Sequence, residues 1–79
     1  MSYWVYMLRC GDGTLYTGIT TDVDRRVREH NAGRGAKYTR SRLPVTAVYR
    51  ESAADKSAAL RRELQIKALT REQKLAMIK

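Results

Sequence analysis

The stretch YWVYMLRCGDGTLYTGIT, residues 3–20, decides the fold. Two runs rich in aromatic and β-branched residues, 3–9 and 14–20, bracket Cys10-Gly11-Asp12-Gly13, which is the pattern of an antiparallel hairpin. Turn length then determines which side chains share a face. A two-residue turn at Asp12-Gly13 makes opposed positions sum to 25 and sends Tyr6 and Tyr16 to opposite faces. A three-residue turn with Gly13 left-handed in a G1 bulge makes that sum 24, so that Tyr6 opposes Gly18, Tyr16 opposes Leu8, and both phenols stand on one face. Gly18 has no side chain and is expected to leave open space beside Tyr6.

A helix follows in TTDVDRRVREHNAG, residues 20–33, with Thr21 as N-cap, Asp24 three residues on completing an approximate capping box, and Gly33 past the end. On its wheel Val23 and Val27 mark the inward stripe, Arg26 and His30 fall on its edge, and Arg25 and Arg28 point away. Arg26 there has two readings that position alone leaves even: an arginine whose stem is buried and whose head reaches water, or a cation serving a site. Further on, Pro44 precedes a third strand at 45–50, and DKSAALRRELQIKAL, residues 55–69, forms a second helix starting near Asp55 or Ser57. Leu60, Leu64, Ala59 and Ile66 span an apolar arc with Glu63 in its middle. Burying an unpartnered carboxylate costs several kcal/mol, so Glu63 needs a basic partner, a cluster of donors or a metal, and Lys67 at i+4 is the nearest partner by spacing. Thr70 and Gln73 open a short third helix with a capping box.

At 79 residues, with 16 Lys plus Arg against 8 Asp plus Glu, the chain is expected to be one domain spanning 1–79 with a thin core and a net charge of +8. Such an excess favours nucleic acid as partner. Between Glu29 and Glu51 there is no acidic residue, while Arg34, Lys37, Arg40, Arg42 and Arg50 all occur, punctuated by Gly33, Gly35 and Tyr38. The segment reads as a flexible cationic loop, with Arg34, Lys37, Arg40 and Arg42 as candidate phosphate contacts. One cysteine, Cys10, allows no internal disulfide, and neither a leader nor a bilayer-spanning run is visible, so a cytoplasmic protein away from membranes is expected. Triad spacing, a Walker-type phosphate loop and zinc-ligand spacing are all absent. Phosphodiester chemistry remains, which asks for a group to activate water, a cation at the phosphate and a carboxylate for a divalent metal. Tyr6 and Tyr16, Arg26 and His30, and Glu63 supply those types.

Those residues carry a resemblance. WVYM (4–7) followed by YTG (16–18) resembles the GIY-YIG signature; Arg26, eight residues after Gly18, matches the arginine of that nuclease superfamily, His30 a histidine or tyrosine found there, and Glu63 its metal-binding glutamate. The stretch 15–40 is most similar to the small GIY-YIG proteins of bacteria called YhbQ-like, and more distantly to the N-terminal nuclease domain of the excision-repair incision subunit. The resemblance implies an α+β fold, a three-stranded antiparallel sheet flanked by about three helices, with catalytic Tyr6, Tyr16, Arg26, His30 and Glu63 on one sheet face. It also implies a metal-dependent endonuclease acting on DNA, in repair or recombination, in which a tyrosine activates water, the arginine stabilises the phosphoryl transition state and the glutamate binds one Mg²⁺ or Mn²⁺, leaving a 5′-phosphate. The competing reading is a nucleic-acid-binding module of the same fold without the chemistry, and a third is a protein-interaction domain. The expected partner is DNA, with RNA as the alternative nucleic acid and a protein partner as a source of specificity.

Overall fold

The computed structural model describes residues 2–78. Strands β1 (Tyr3–Arg9) and β2 (Leu15–Thr20) form the hairpin, followed by helices α1 (Val23–Asn31) and α2 (Lys37–Arg40), strand β3 (Thr46–Ala53), and helices α3 (Lys56–Lys67) and α4 (Arg71–Met77). The sheet is antiparallel throughout, in the order β2-β1-β3. The expected α+β class and three strands are therefore present, with four helices in place of about three.

The hairpin has the odd-length turn. Gly13 adopts φ +84°, its N–H donates to the Cys10 carbonyl at 2.9 Å, and Tyr6 opposes Gly18 while Leu8 opposes Tyr16. Asp12 Oδ1 tightens the turn by accepting from the Thr14 N–H and hydroxyl at 3.1 and 2.6 Å. The alternation of β1 then gives the sheet two cores. Tyr6, Leu8 and Cys10 pack with Val23 and Val45 under α1, whereas Val5 and Met7 pack with Ala59 and Ile66 under α3 and α4.

Four local expectations are corrected. The cap of α1 is Asp22, not Thr21: its Oδ1 accepts from the Arg25 N–H at 3.0 Å, a stronger acceptor one residue later, and Asp24 pairs with Arg50 instead. The cationic loop contains a turn of helix, α2, which buries Thr39. Strand β3 starts at Thr46 because the Asn31 amide takes both backbone groups of Val45, donating to its carbonyl at 3.1 Å and accepting from its N–H at 2.7 Å. The apolar arc of α3 is also displaced. Leu60 and Leu64 are 42% and 67% exposed, and the helix seats on Ala59 and Ile66. A small residue at Ala59 lets the helix approach the sheet, and Leu64, five positions and about 140° further round, is carried into solvent.

Candidate active site

The two tyrosines and the histidine form one aromatic cluster on the α1 face, with Tyr6 and His30 buried and Tyr16 half-buried. Tyr6 and Tyr16 have ring centroids 6.4 Å apart, and His30 stands edge-on to each, at 6.1 and 5.4 Å. Because Gly18 opposes Tyr6 and carries no side chain, the phenol lies flat across it: a Cβ at position 18 would sit 2.7 Å from the Tyr6 oxygen. The open space expected beside Tyr6 is filled by Tyr6 itself. His30 is seated in the same way beneath Gly35, where any side chain would collide with the imidazole.

A chain of hydrogen bonds fixes the proton positions. Tyr6 Oη lies 3.0 Å from His30 Nε2, His30 Nδ1 lies 2.8 Å from Thr39 Oγ1, and the Thr39 hydroxyl donates to the Ala36 carbonyl at 2.9 Å. A threonine hydroxyl has one hydrogen. With that hydrogen given to Ala36, Thr39 accepts from His30 Nδ1–H, Nε2 carries the lone pair, and Tyr6 donates to it. Burial lowers the imidazole pKa, the Arg26 guanidinium lowers it further, and the ring is neutral at neutral pH. Burial likewise pushes the Tyr6 phenol up to about 12, against the pull of Arg26. The Tyr16 phenol is also raised, first by burial; Arg26 opposes the rise and the Glu63 carboxylate adds to it. The two tyrosines, Arg26 and Glu63 thus share one electrostatic neighbourhood.

Arg26 is 31% exposed and held by Glu29, to which Nη1 donates at 3.0 Å. The Arg26 side chain is partly covered, and its guanidinium is near enough to Tyr6 to pull the phenol pKa down. Glu63 is 16% exposed, and Lys67 Nζ lies 3.6 Å from its Oε2. Among the described residues no group of three His, Cys, Asp or Glu side chains is placed to hold a metal. A single carboxylate does not suit zinc, but it suits a hard cation such as Mg²⁺, which keeps much of its water shell and takes further oxygens from substrate phosphates.

In the loop, Arg34, Lys37 and Arg40 are exposed and make no ion pair among the described residues. Arg42 is engaged by the protein: it lies 4.0 Å over the Tyr38 ring, donates to the Tyr38 carbonyl at 2.8 Å, and brings Nε within 3.0 Å of Asp12 Oδ2, off the hydrogen-bond direction. Thr39 carried no sequence signal and sets the histidine tautomer from a segment that reads as loop, whereas Tyr38, which punctuates the cationic run, stacks on Tyr16 with centroids 6.0 Å apart.

A three-stranded sheet that buries a tyrosine–histidine pair, with an arginine beside it and a half-buried glutamate in the same field, defines a small α+β domain of nuclease type. The chain belongs to the GIY-YIG family, the model of the GIY-YIG catalytic domain matching residues 2–76. It is 63% identical to a UPF0213 protein of Halobacterium salinarum over 92% of this chain and 95% of the relative, and 54% identical to one of Staphylococcus haemolyticus over 96% and 93%. The solution NMR structure of a UPF0213 protein from Bacillus halodurans is similar to it at a TM-score of 0.61 and 47% identity, covering 96% of this chain and 81% of that one. A second NMR structure, of a protein from E. faecalis, has a TM-score of 0.63 at 39% identity, covering 96% and 82%. No helix among the described residues is long and apolar enough to cross a membrane.

Proposed function

We propose that the protein is an endonuclease that hydrolyses phosphodiester bonds of DNA, with one Mg²⁺ or Mn²⁺ held at Glu63. The observation that carries this reading is the buried Tyr6–His30–Thr39 chain, which leaves an unprotonated imidazole nitrogen 3.0 Å from a phenol too weakly acidic to ionise alone. As water attacks the phosphorus, Tyr6 takes its proton and passes its own to His30 Nε2. Arg26 stands beside Tyr6 to balance the charge that grows on the phosphoryl oxygens. The 3′ oxygen leaves and is protonated, and the other strand end keeps a 5′-phosphate. When bound, the divalent cation supplies positive charge at the leaving oxygen, and Glu63 is the residue that would hold it. Tyr16, with its hydroxyl on the same face, is suited to hydrogen-bond a phosphate oxygen. Arg34, Lys37 and Arg40 supply backbone contacts that position the strand without reading its sequence.

The Lys67–Glu63 ion pair favours one other reading, a DNA-binding module in which Glu63 has only a structural partner. Nicking of supercoiled plasmid with and without Mg²⁺ or Mn²⁺ separates the two. On the nuclease reading the wild type nicks only with metal, Glu63→Ala binds DNA without nicking it, and added Mg²⁺ raises the melting temperature of the wild type but not of Glu63→Gln. A wild type that neither nicks any form of DNA nor responds to metal leaves the binding module.

A further inference from the structure

Strand order β2-β1-β3 makes β2 an edge, and beside it lies a cleft of ≈ 280 Å³ lined by Leu15, Tyr16, Thr17, Tyr38, Lys67 and Lys74. A second lobe of ≈ 210 Å³ shares Leu15, Tyr38 and Lys74 with it and extends to Arg71. Among the described residues the two lobes are lined by three cations and no carboxylate. Arg71 Nη2 donates to the Gly13 carbonyl at 3.0 Å, which ties α4 to the hairpin and uses only part of the guanidinium. Lys67 pairs with Glu63 at 3.6 Å, yet its side chain is still 50% exposed. Lys74 is half-buried and makes no ion pair among the described residues. It follows Arg71 by three positions on α4, so the two like charges share a helix face and repel. Cations gathered round a concave surface raise its potential, and an anion from outside lowers it.

We propose that this cleft is a second track for the sugar-phosphate backbone of DNA, with Lys74 as its principal phosphate contact and Lys67 and Arg71 beside it. The rings of the cleft are already engaged, Tyr38 with Tyr16 and with Arg42, so recognition falls to the cations. Ammonium and guanidinium groups meet phosphate oxygens, and the half-buried Leu15 offers an apolar floor to a deoxyribose. Contacts of this kind hold a strand in place without reading its sequence. The cleft adds to the cations of the loop and does not repeat them: Lys67 and Lys74 come from α3 and α4, Arg34, Lys37 and Arg40 from the segment between α1 and β3. Tyr16 lines the cleft and belongs to the cluster with Tyr6 and His30, so a strand laid along it runs past the groups that would cut it. Only that last placement rests on the nuclease reading.

Fluorescence anisotropy of a labelled DNA duplex in EDTA, titrated at several salt concentrations, tests the proposal without cleavage. Lys74→Met keeps the half-buried stem and removes the charge; Lys74→Gln is read in its place if that variant does not fold. The slope of log affinity against log salt falls by about 0.9, so the deficit against wild type narrows about three-fold between about 50 and about 200 mM salt. Lys74→Arg restores the slope. Lys56 is exposed at the other end of α3, about 16 Å along the axis from Lys67, and Lys56→Met removes the same charge while leaving the slope unchanged. An unchanged slope in Lys74→Met, no restoration by Lys74→Arg, or an equal drop in Lys56→Met overturns the proposal. So does a rise in melting temperature with inorganic phosphate that Lys74→Met loses while its DNA slope stays wild-type, which makes the cleft a site for small anions. If the wild type nicks no DNA while the Lys74 dependence holds, the nuclease reading falls and the backbone track stands. If it nicks plasmid while Lys74→Met keeps the wild-type slope, the track falls alone.

Discussion

The two faces of this sheet are built from alternate residues of the same strand and spend their burial differently. Val5 and Met7 meet Ala59 and Ile66 in a largely apolar core beside the buried Thr17, while Tyr6 and Leu8, one step along, share theirs with His30 and Thr39. The apolar face stabilises by area removed from water and tolerates small shifts. On the other face each buried polar group depends on its partner, so displacing one strands the next. A domain this small thus anchors its sheet chiefly through one face and buries its histidine and the Tyr6 phenol on the other.

Substitutions on the two faces should separate these roles. The largest effect is expected from Tyr6→Phe, which removes the proton carrier: cleavage should fall by about 10²–10⁴-fold while the protein remains folded, as read by plasmid nicking and thermal melting together. Comparable nicking by Tyr6→Phe would break the contrast between the faces. Ile66→Ala, in the apolar core, should lower the free energy of unfolding by about 2–5 kcal/mol, and denaturant titration measures it. At concentrations where it is folded its cleavage should match the wild type.

Acid should expose the polar face next. His30 has a folded pKa below its ordinary 6.5, so the unfolded chain takes up a proton first as pH falls. The stability contributed by the neutral ring is therefore complete above pH 6.5 and declines from there down to the lowered folded value, with a slope of at most about 1.4 kcal/mol per pH unit. Melting temperatures across that window should show the decline in the wild type, and His30→Gln, which retains an amide to bridge Tyr6 and Thr39, should lack it. The smallest effect per residue belongs to the loop: replacing Arg34, Lys37 and Arg40 together by Ala should flatten the logarithmic salt dependence of DNA binding by up to about 0.9 for each cation. An unchanged slope would make the loop solvated surface.

The legible parts of the sequence were those set by local chemistry. Gly11-Asp12-Gly13 marks the turn and leaves two lengths, each with a definite parity, and the observed three-residue turn puts Tyr6 and Tyr16 on one face. Helix signals worked to within a residue: Thr70 with Gln73 is the capping box the sequence predicts, and Asp22 displaced Thr21 because a carboxylate one position later caps better. Exposure of Leu60 and Leu64 was not legible, since the wheel shows where apolar residues gather and not where the sheet lies. Thr39 and Asn31 act through partners distant in sequence, on His30 and Val45, and no periodicity marks such pairs.

The Asn31 amide has one further consequence, which concerns breathing rather than shape. It mimics a strand residue, closing two hydrogen bonds to Val45 at the entrance to β3, and it is the neighbour of His30 on the last turn of α1. The imidazole is thereby tethered to an edge strand. Each local opening of the start of β3 breaks both of those hydrogen bonds and frees one anchor of the turn that carries His30. Hydrogen exchange at the Val45 amide, whose acceptor is Asn31 Oδ1, reports that opening directly, and the protection of one backbone proton becomes a gauge of how firmly the His30 turn is held.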